Sequence, residues 1–359
     1  MPTNQPRVDR LLRVRARERA GTRPFVSVVA PAYNEQDTVA ELCARLDATL
    51  SAQGLPYEIV FVNDGSSDAT LDRLLDLAEA RVPALTPPLD APPRAAGRLR
   101  VLNLSRNFGK EAAISAGIDH ARGDVLIVID ADLQHPPEVI PAFLDRWRDG
   151  YDVVYGARTS RGSDTLAKRV SAEWFYRVFN WFSRVHLPGD AGDFRLIDSR
   201  VAEVLRRLPE HNRFMKGLFA WAGFPTVAVP YTQPERQSAT SRFTFWRLWN
   251  FALDGLFAFS TVPLRVWSYV GGLLALGAMI YLLQIILQVL IVGKDTPGYA
   301  SLLSVVLFLG GIQLLTLGIL GEYVGRLFLE VKNRPTYVIE AEHSADDVRG
   351  PANTEKTAS

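Results

Sequence analysis

Val125-Leu126-Ile127-Val128-Ile129 runs directly into Asp130-Ala131-Asp132-Leu133-Gln134-His135-Pro136-Pro137. A short unbroken apolar run reads as a strand covered on both faces, the pattern of a parallel sheet. The acidic segment therefore begins at a strand's carboxyl end, where open α/β sheets bind ligands. Side chains two apart on an extended chain face the same way, so Asp130, Asp132 and Gln134 are expected to converge. Two carboxylates and an amide oxygen are hard ligands, suited to Mg2+ or Mn2+ shared with phosphate oxygens. An isolated Asp-X-Asp is more often a cap or a solvated turn. Its place after a buried strand is what points to a metal.

Outward from this stretch the pattern repeats. Phe25 to Val29, Glu58 to Val62, Leu99 to Leu104 and Val153 to Tyr155 read as further strands, with helices expected over Thr38–Leu50, Thr70–Ala80 and Lys110–Ala121. Alternating strands and helices imply a mostly parallel, Rossmann-like α/β sheet. The first strand ends in Pro31-Ala32-Tyr33-Asn34-Glu35 and the second in Asn63-Asp64-Gly65-Ser66-Ser67-Asp68. Asp68 suits a helix cap, while Asp64 stands where a ligand's base or sugar would lie. No Gly-X-Gly-X-X-Gly or Gly-X-X-X-X-Gly-Lys-Ser/Thr follows a strand, which disfavours dinucleotide oxidoreductases and P-loop nucleotidases. Pro83–Gly97 reads as an insertion in a connection.

The 359 residues carry 40 basic and 39 acidic side chains, so no overall nucleic-acid-binding surface is indicated. The single cysteine, Cys43, excludes an intramolecular disulfide and a Cys-based zinc site. Apolar residues concentrate late in the chain. No charge falls between Arg265 and Lys294, nor between Asp295 and Glu322. Each run exceeds the ~20 residues that cross a bilayer, and Lys294–Gly298 makes a short turn, so a two-helix transmembrane hairpin is expected. Arg265, Arg326, Lys332 and Arg334 flank it, which places both large flanks in the cytoplasm. Aromatic-rich stretches at Ser163–Arg184 and Phe243–Phe259 suit helices at a bilayer surface. The expected divisions are a disordered Arg-rich leader (1–24), a catalytic domain (25–235), a juxtamembrane loop with amphipathic helices (236–264), the hairpin (265–325) and a cytoplasmic tail (326–359).

With Ser105-Arg106-Asn107-Phe108-Gly109-Lys110-Glu111 and Gly192-Asp193-Phe194-Arg195-Leu196, the three strand-end motifs resemble the inverting family 2 glycosyltransferases of the GT-A fold. The paired C-terminal spans bring the chain closest to the polyprenyl-phosphate glycosyltransferases, GtrB-like and dolichol-phosphate-mannose-synthase-like. The resemblance covers about residues 25 to 335. It implies that Pro31, Tyr33, Glu35, Asp64, Lys110 and Asp130 hold a nucleotide-sugar donor, and that Asp130, Asp132 and Gln134 bind Mg2+ or Mn2+. Asp193 would lie near the donor sugar and count, with Asp132, Arg158 and Arg169, among the catalytic residues. Arg158, Arg169 and Ser171 would receive the acceptor phosphate, with a one-residue ambiguity between Lys168 and Arg169. Arg236, Ser241 and Arg242 fall in the family's flexible loop, where Lys often stands in place of Arg242.

The implied activity is transfer of a sugar, UDP-glucose being the first choice over a GDP-sugar donor, to a polyprenyl phosphate in a bacterial plasma membrane. Related two-span enzymes include tetramers, and a homo-oligomer is left open. Two other readings stand beside it. A processive polysaccharide synthase would carry Gln-X-X-Arg-Trp and more spans, both absent here. An inactive membrane adaptor would have no reason to keep the Asp130/Asp132/Gln134 set.

Overall fold

The computed structural model describes residues 5–81, 98–158, 191–208, 210, 213–232, 262–292 and 298–344. They fall into two compact units, one built on a sheet and one containing two long helices.

The sheet is eight-stranded, with strands β1 (Val26–Ala32), β2 (Tyr57–Asn63), β3 (Arg98–Leu104), β4 (Val125–Val128), β5 (Val153–Arg158), β6 (Ala191–Asp198), β7 (Thr226–Tyr231) and β8 (Ile339–Ser344) in the order β7-β5-β6-β4-β1-β2-β3-β8. β3, β2, β1 and β4 run parallel to one another, as does β7 to β5. β6 is antiparallel to both β4 and β5, and β8 is antiparallel to β3. The mostly parallel α/β sheet of the GT-A fold is therefore present. Because β6 alone is reversed among β4, β5 and β6, it starts at the edge where those two strands end.

Alternation along β2 builds the core on both faces at once. Ile59 and Phe61 belong to a cluster with Leu42, Leu46, Leu74, Phe143 and Leu144, from α2 (Val39–Ala52), α3 (Thr70–Glu79) and α5 (Ile140–Arg148). Val60 and Val62 turn the other way and pack with Leu102, Leu104, Ala113 and Ala116, the last two from α4 (Lys110–His120). Every residue of β2 is buried, which is why its sequence shows no polar alternation.

One expectation is corrected. The leader is not disordered from residue 5 onward: Gln5–Arg19 is helix α1. Its last residue, Arg19, is 4% exposed and is held by Asp152 and Asp198, a fixed destination that disorder would not supply. The tail beyond residue 326 also contributes to the fold, through β8. Glu342 pairs with Arg100 at 2.6 Å and Glu340 accepts from Asn103 at 2.9 Å, so polar side chains that look solvated in sequence have partners on β3.

β6 leads into α6 (Ser199–Arg207), capped by the Asp198 carboxylate on the Arg200 N–H, and α7 (Met215–Ala222) precedes β7. The second unit contains α8 (Val262–Val292) and α9 (Tyr299–Val331). Large apolar side chains stand outward on both, among them Leu273, Ile291, Leu314 and Leu327. Among the described residues Phe308–Val331 is long and apolar enough to cross a membrane, and Tyr269–Ile285 is apolar but shorter. α9 continues past Glu322, beyond the expected second span. The predicted insertion and both aromatic-rich segments lie outside the described residues.

Candidate active site

The carboxyl edge of β1, β2 and β4 is assembled by hydrogen bonds between consecutive loops. Asn34, in the left-handed region at φ 57°, donates its N–H to Ser66 Oγ and accepts from the Ser67 N–H. The Glu35 N–H donates to Thr70 Oγ1. Asp68 takes the capping part expected of it, accepting from the Thr70 N–H at 3.0 Å. Gly65 lies at φ 61°, and a Cβ there would sit 2.5 Å from the backbone of Arg106 and Asn107, so only glycine lets these loops meet. Asp64 is 3% exposed; its oxygens accept the N–H groups of Phe108 (2.7 Å) and Gly109 (3.0 Å). Burial still raises its pKa above the usual carboxylate range. In this arrangement Asp64 fixes the loop that leads into Lys110. Pro31 is in β1 beside Val62, and Tyr33 is exposed at the rim.

Lys110 opens α4 and joins two strand ends. Its Nζ lies 2.7 Å from Asp130 Oδ1 and 2.8 Å from Oδ2, and 2.6 Å from Asp193 Oδ2. Lys216, on α7, reaches Asp193 Oδ1 at 3.6 Å. Burial works against every charge in this group, yet the ion pairs prevail: Lys110 is held above its ordinary pKa, and Asp130 and Asp193 below theirs. Neighbouring Glu111 is relieved less. Burial, reinforced by the Asp193 charge and only partly offset by Lys110 and Lys216, raises its carboxyl to about 7.

The acidic segment after β4 departs from expectation. Leu133 adopts φ 59°, and Asp132 Oδ1 accepts the Gln134 N–H at 3.1 Å, which makes a turn and not an extended chain. The two-residue periodicity that would aim Asp130, Asp132 and Gln134 at one point therefore does not operate. Asp130 is turned instead toward Lys110 and toward His135, whose Nε2 is 3.4 Å from Oδ2. Among the described residues no three His, Cys, Asp or Glu side chains form a metal cluster. The charge balance nonetheless suits a cation: Glu35 is pushed above the ordinary carboxylate range by burial and by the fields of Asp132, Asp130 and Asp68, against a hydrogen bond from Thr38. A diphosphate-bound Mg2+ needs only one or two protein carboxylates, so Asp132 with Asp130 fits that demand without a cage.

Arg158 ends β5 at the same edge and is exposed. Arg169, Ser171, Arg236, Ser241 and Arg242 lie outside the described residues. The structure adds His135, Tyr231, Lys216 and Glu111 to the site. His135 and Glu111 stand inside motifs quoted above. Nothing local marks Tyr231 or Lys216, whose partners are distant in sequence.

Residues 27–205 match the glycosyl transferase family 2 model and residues 262–327 match the GtrB C-terminal hairpin. An uncharacterized glycosyltransferase of Synechocystis sp. is 46% identical over 88% of this chain and 94% of its own. The SfII prophage-derived bactoprenol glucosyl transferase of Shigella flexneri is 43% identical over 89% of this chain and 98% of its own. A prophage bactoprenol glucosyl transferase homolog of Escherichia coli K12 is 42% identical over 88% and 98%. With Asp130, Lys110 and Asp193 gathered where the strands end, and similarity reaching from that sheet through the hairpin, the chain belongs to glycosyl transferase family 2 and is a glycosyltransferase.

Proposed function

We propose that this enzyme transfers glucose from UDP-glucose to a polyprenyl phosphate, inverting the anomeric centre. One observation carries the reading: a bactoprenol glucosyl transferase is 43% identical over 98% of its length, hairpin included. The site chemistry agrees with it. A lipid phosphate is already anionic at neutral pH, so attack on the sugar requires no strong general base. The enzyme must instead bring two anions together and stabilise the departing nucleoside diphosphate.

Arg158 meets the first need, as a guanidinium at the open edge whose planar fork suits phosphate, and Arg169 and Ser171 complete the acceptor site. The donor lies over the ends of β1, β2 and β4, with Pro31, Tyr33, Glu35 and Asp64 on the nucleoside side. Lys110 and Asp193 stand beside the sugar. Asp132, with Asp130, would hold Mg2+ or Mn2+, which would offset the charge that builds on the leaving diphosphate. The spans seat the enzyme in the bilayer with its sheet on the cytoplasmic side, where Arg326, Lys332 and Arg334 outweigh the Lys294/Asp295 turn.

Membranes carrying the full chain, incubated with radiolabelled UDP-glucose, UDP-galactose, UDP-N-acetylglucosamine and GDP-mannose, should label the polyprenyl phosphate fraction only from UDP-glucose. EDTA should abolish labelling, Mg2+ or Mn2+ should restore it, and Asp132→Ala should lose at least ~10²-fold in rate. Labelling from another donor alone would move the specificity. Full activity in EDTA would remove the metal.

A further inference from the structure

β8 belongs to the sheet although it follows the second long helix. Only Lys332–Thr336 separate α9 from Tyr337, whose hydroxyl donates to Asp119 Oδ2 at 2.8 Å. The next carbonyl, of Val338, accepts the Ser105 N–H at 3.0 Å, at the root of the loop that leads to Lys110. Pairing with β3 then runs from Ile339 opposite Leu104 to Ser344 opposite Arg100, with one irregularity. Ala341 faces Asn103 and Ile339 faces Leu104, so Glu340 is the extra residue of a β-bulge. Bulges re-aim side chains, and Glu340 is aimed at β3, where Asn103 Nδ2 donates to its Oε2 at 2.9 Å.

Asn103 and its register partner on β2, Asn63, are 9% and 1% exposed, and a buried amide needs partners on both its atoms. Asn63 Nδ2 donates to Asn103 Oδ1 at 2.7 Å, and Asn63 Oδ1 accepts the Ser66 N–H at 3.3 Å. Ser66 Oγ in turn accepts the Asn34 N–H. A hydrogen-bonded row therefore crosses β8, β3 and β2 and ends in the two loops that carry Asp64 and Glu35. Its ends fix its direction. A carboxylate only accepts and a backbone N–H only donates, so each amide presents its NH2 toward Glu340 and its oxygen toward Ser66. With the carboxylate gone, both amides are free to turn over together, which sets the Asn63 NH2 against the Ser66 N–H.

We propose that Asn63 and Asn103 are positioning residues of the donor site, and that Glu340, supplied by the strand after the hairpin, sets their direction. The chain that forms the hairpin thus returns to hold the Pro31–Glu35 and Asn63–Asp68 loops. The three residues act through the backbone of Ser66 and Asn34 and not by contact with the donor. That these loops hold a nucleotide-sugar rests on the function proposed above; the row itself does not.

The test reverses the polarity of the row in the full-length enzyme. Glu340 is exposed, so Glu340→Lys should unfold at a temperature close to that of the wild type. It meets the Asn103 NH2 with a second donor, and the KM for UDP-glucose should rise about fivefold with kcat within about twofold. Glu340→Gln keeps an acceptor oxygen and should stay within about twofold of the wild type in both. Asn103→Asp alone sets two carboxylates together and should raise the same KM about tenfold. Combined with Glu340→Lys it restores a donor–acceptor pair and still accepts from Asn63, so the double variant should recover to within about twofold of the wild type. Hydrogen–deuterium exchange gives a readout that needs no substrate. The Ser66 and Asn34 amides should exchange about fivefold faster in Glu340→Lys and return to the wild-type rate in the double variant. Wild-type KM and exchange in Glu340→Lys, or a double variant no better than Asn103→Asp, overturns the proposal. If exchange follows this pattern in a protein that binds no UDP-glucose, the row stands and the donor reading fails.

Discussion

β6 begins in one charged cluster and ends in another, and the two are built differently. At its start Asp193 shares Lys110 with Asp130; at its end Asp198 shares Arg19 with Asp152. Arg19 is spent on fixed acceptors: Nη1 donates to the carbonyls of Trp147 (2.6 Å) and Tyr151 (2.9 Å), and Nη2 to Asp152 (2.6 Å) and Asp198 (2.7 Å). Trp147 stacks under the guanidinium and donates its indole N–H to Asp198. Arg15 adds a second cation on Asp152. The side chains of Arg19, Asp152 and Asp198 are all at most 6% exposed. Lys110, by contrast, is a flexible point charge with a side chain 42% exposed, and its partners remain open to solvent on one side. A planar fork surrounded by carbonyls is a clasp. A lysine shared by two half-open carboxylates can give up either contact when a ligand brings its own charge.

The comparison breaks first at Arg19. Replacing it with Met leaves Asp152 and Asp198 buried with too few donors, a loss that typically costs ~3–5 kcal/mol. Chemical unfolding of the full-length protein should register that loss, while transfer per folded molecule stays within about twofold of wild type at low temperature. A large fall in specific activity without a fall in stability would mean that the clasp also shapes the site.

Lys110→Met should do the reverse. It removes the cation between Asp130 and Asp193, and kcat should fall by ~10²-fold, about 2.7 kcal/mol of barrier. Stability should change by less than ~1 kcal/mol, because both carboxylates can turn to water. Equal losses of stability in the Arg19 and Lys110 variants would erase the distinction drawn between the two ends of β6.

Sequence reveals these two clusters unequally, and the reason is range. The strand over Val125–Val128 and the acidic turn after it are adjacent in the chain, and the parallel core β1–β4 is legible from apolar runs that need no partner to be recognised. Arg19 finds its carboxylates 133 and 179 residues away, so in sequence it is one arginine among several in a polar leader. β8 depends on Glu342 meeting Arg100 across 242 residues, and Tyr231 meets His135 across 96. The turn at Leu133 was hidden for another reason. A leucine at positive φ runs against its own preference, so its identity gives no sign of the turn. What was legible were residue identities at the strand ends; what was not was the direction in which each side chain is held.

Glu111 offers the finest separation of the two clusters, because it borders the open one and carries a charge the protein does not accommodate well. Burial and Asp193 raise its carboxyl from an ordinary 4.5 to about 7, and its Oε2 finds no hydrogen-bond partner among the described residues. Below 4.5 the group is protonated whether the chain is folded or unfolded. Between 4.5 and about 7 only the folded protein keeps the proton, so stability falls as pH rises through that window. Above about 7 the loss is complete. The interval bounds the effect at ~3 kcal/mol, and water reaching the half-buried side chain reduces it to ~1–2 kcal/mol. Glu111→Gln keeps the shape and removes the titration, so its unfolding temperature should vary less between pH 5 and pH 8 than that of the wild type, with the gap opening at the alkaline end. Arg19→Met in the same scan should shift the whole curve downward and leave its slope over this window in place. A wild-type slope that survives Glu111→Gln would assign the proton to another group and remove Glu111 from the account of the open cluster.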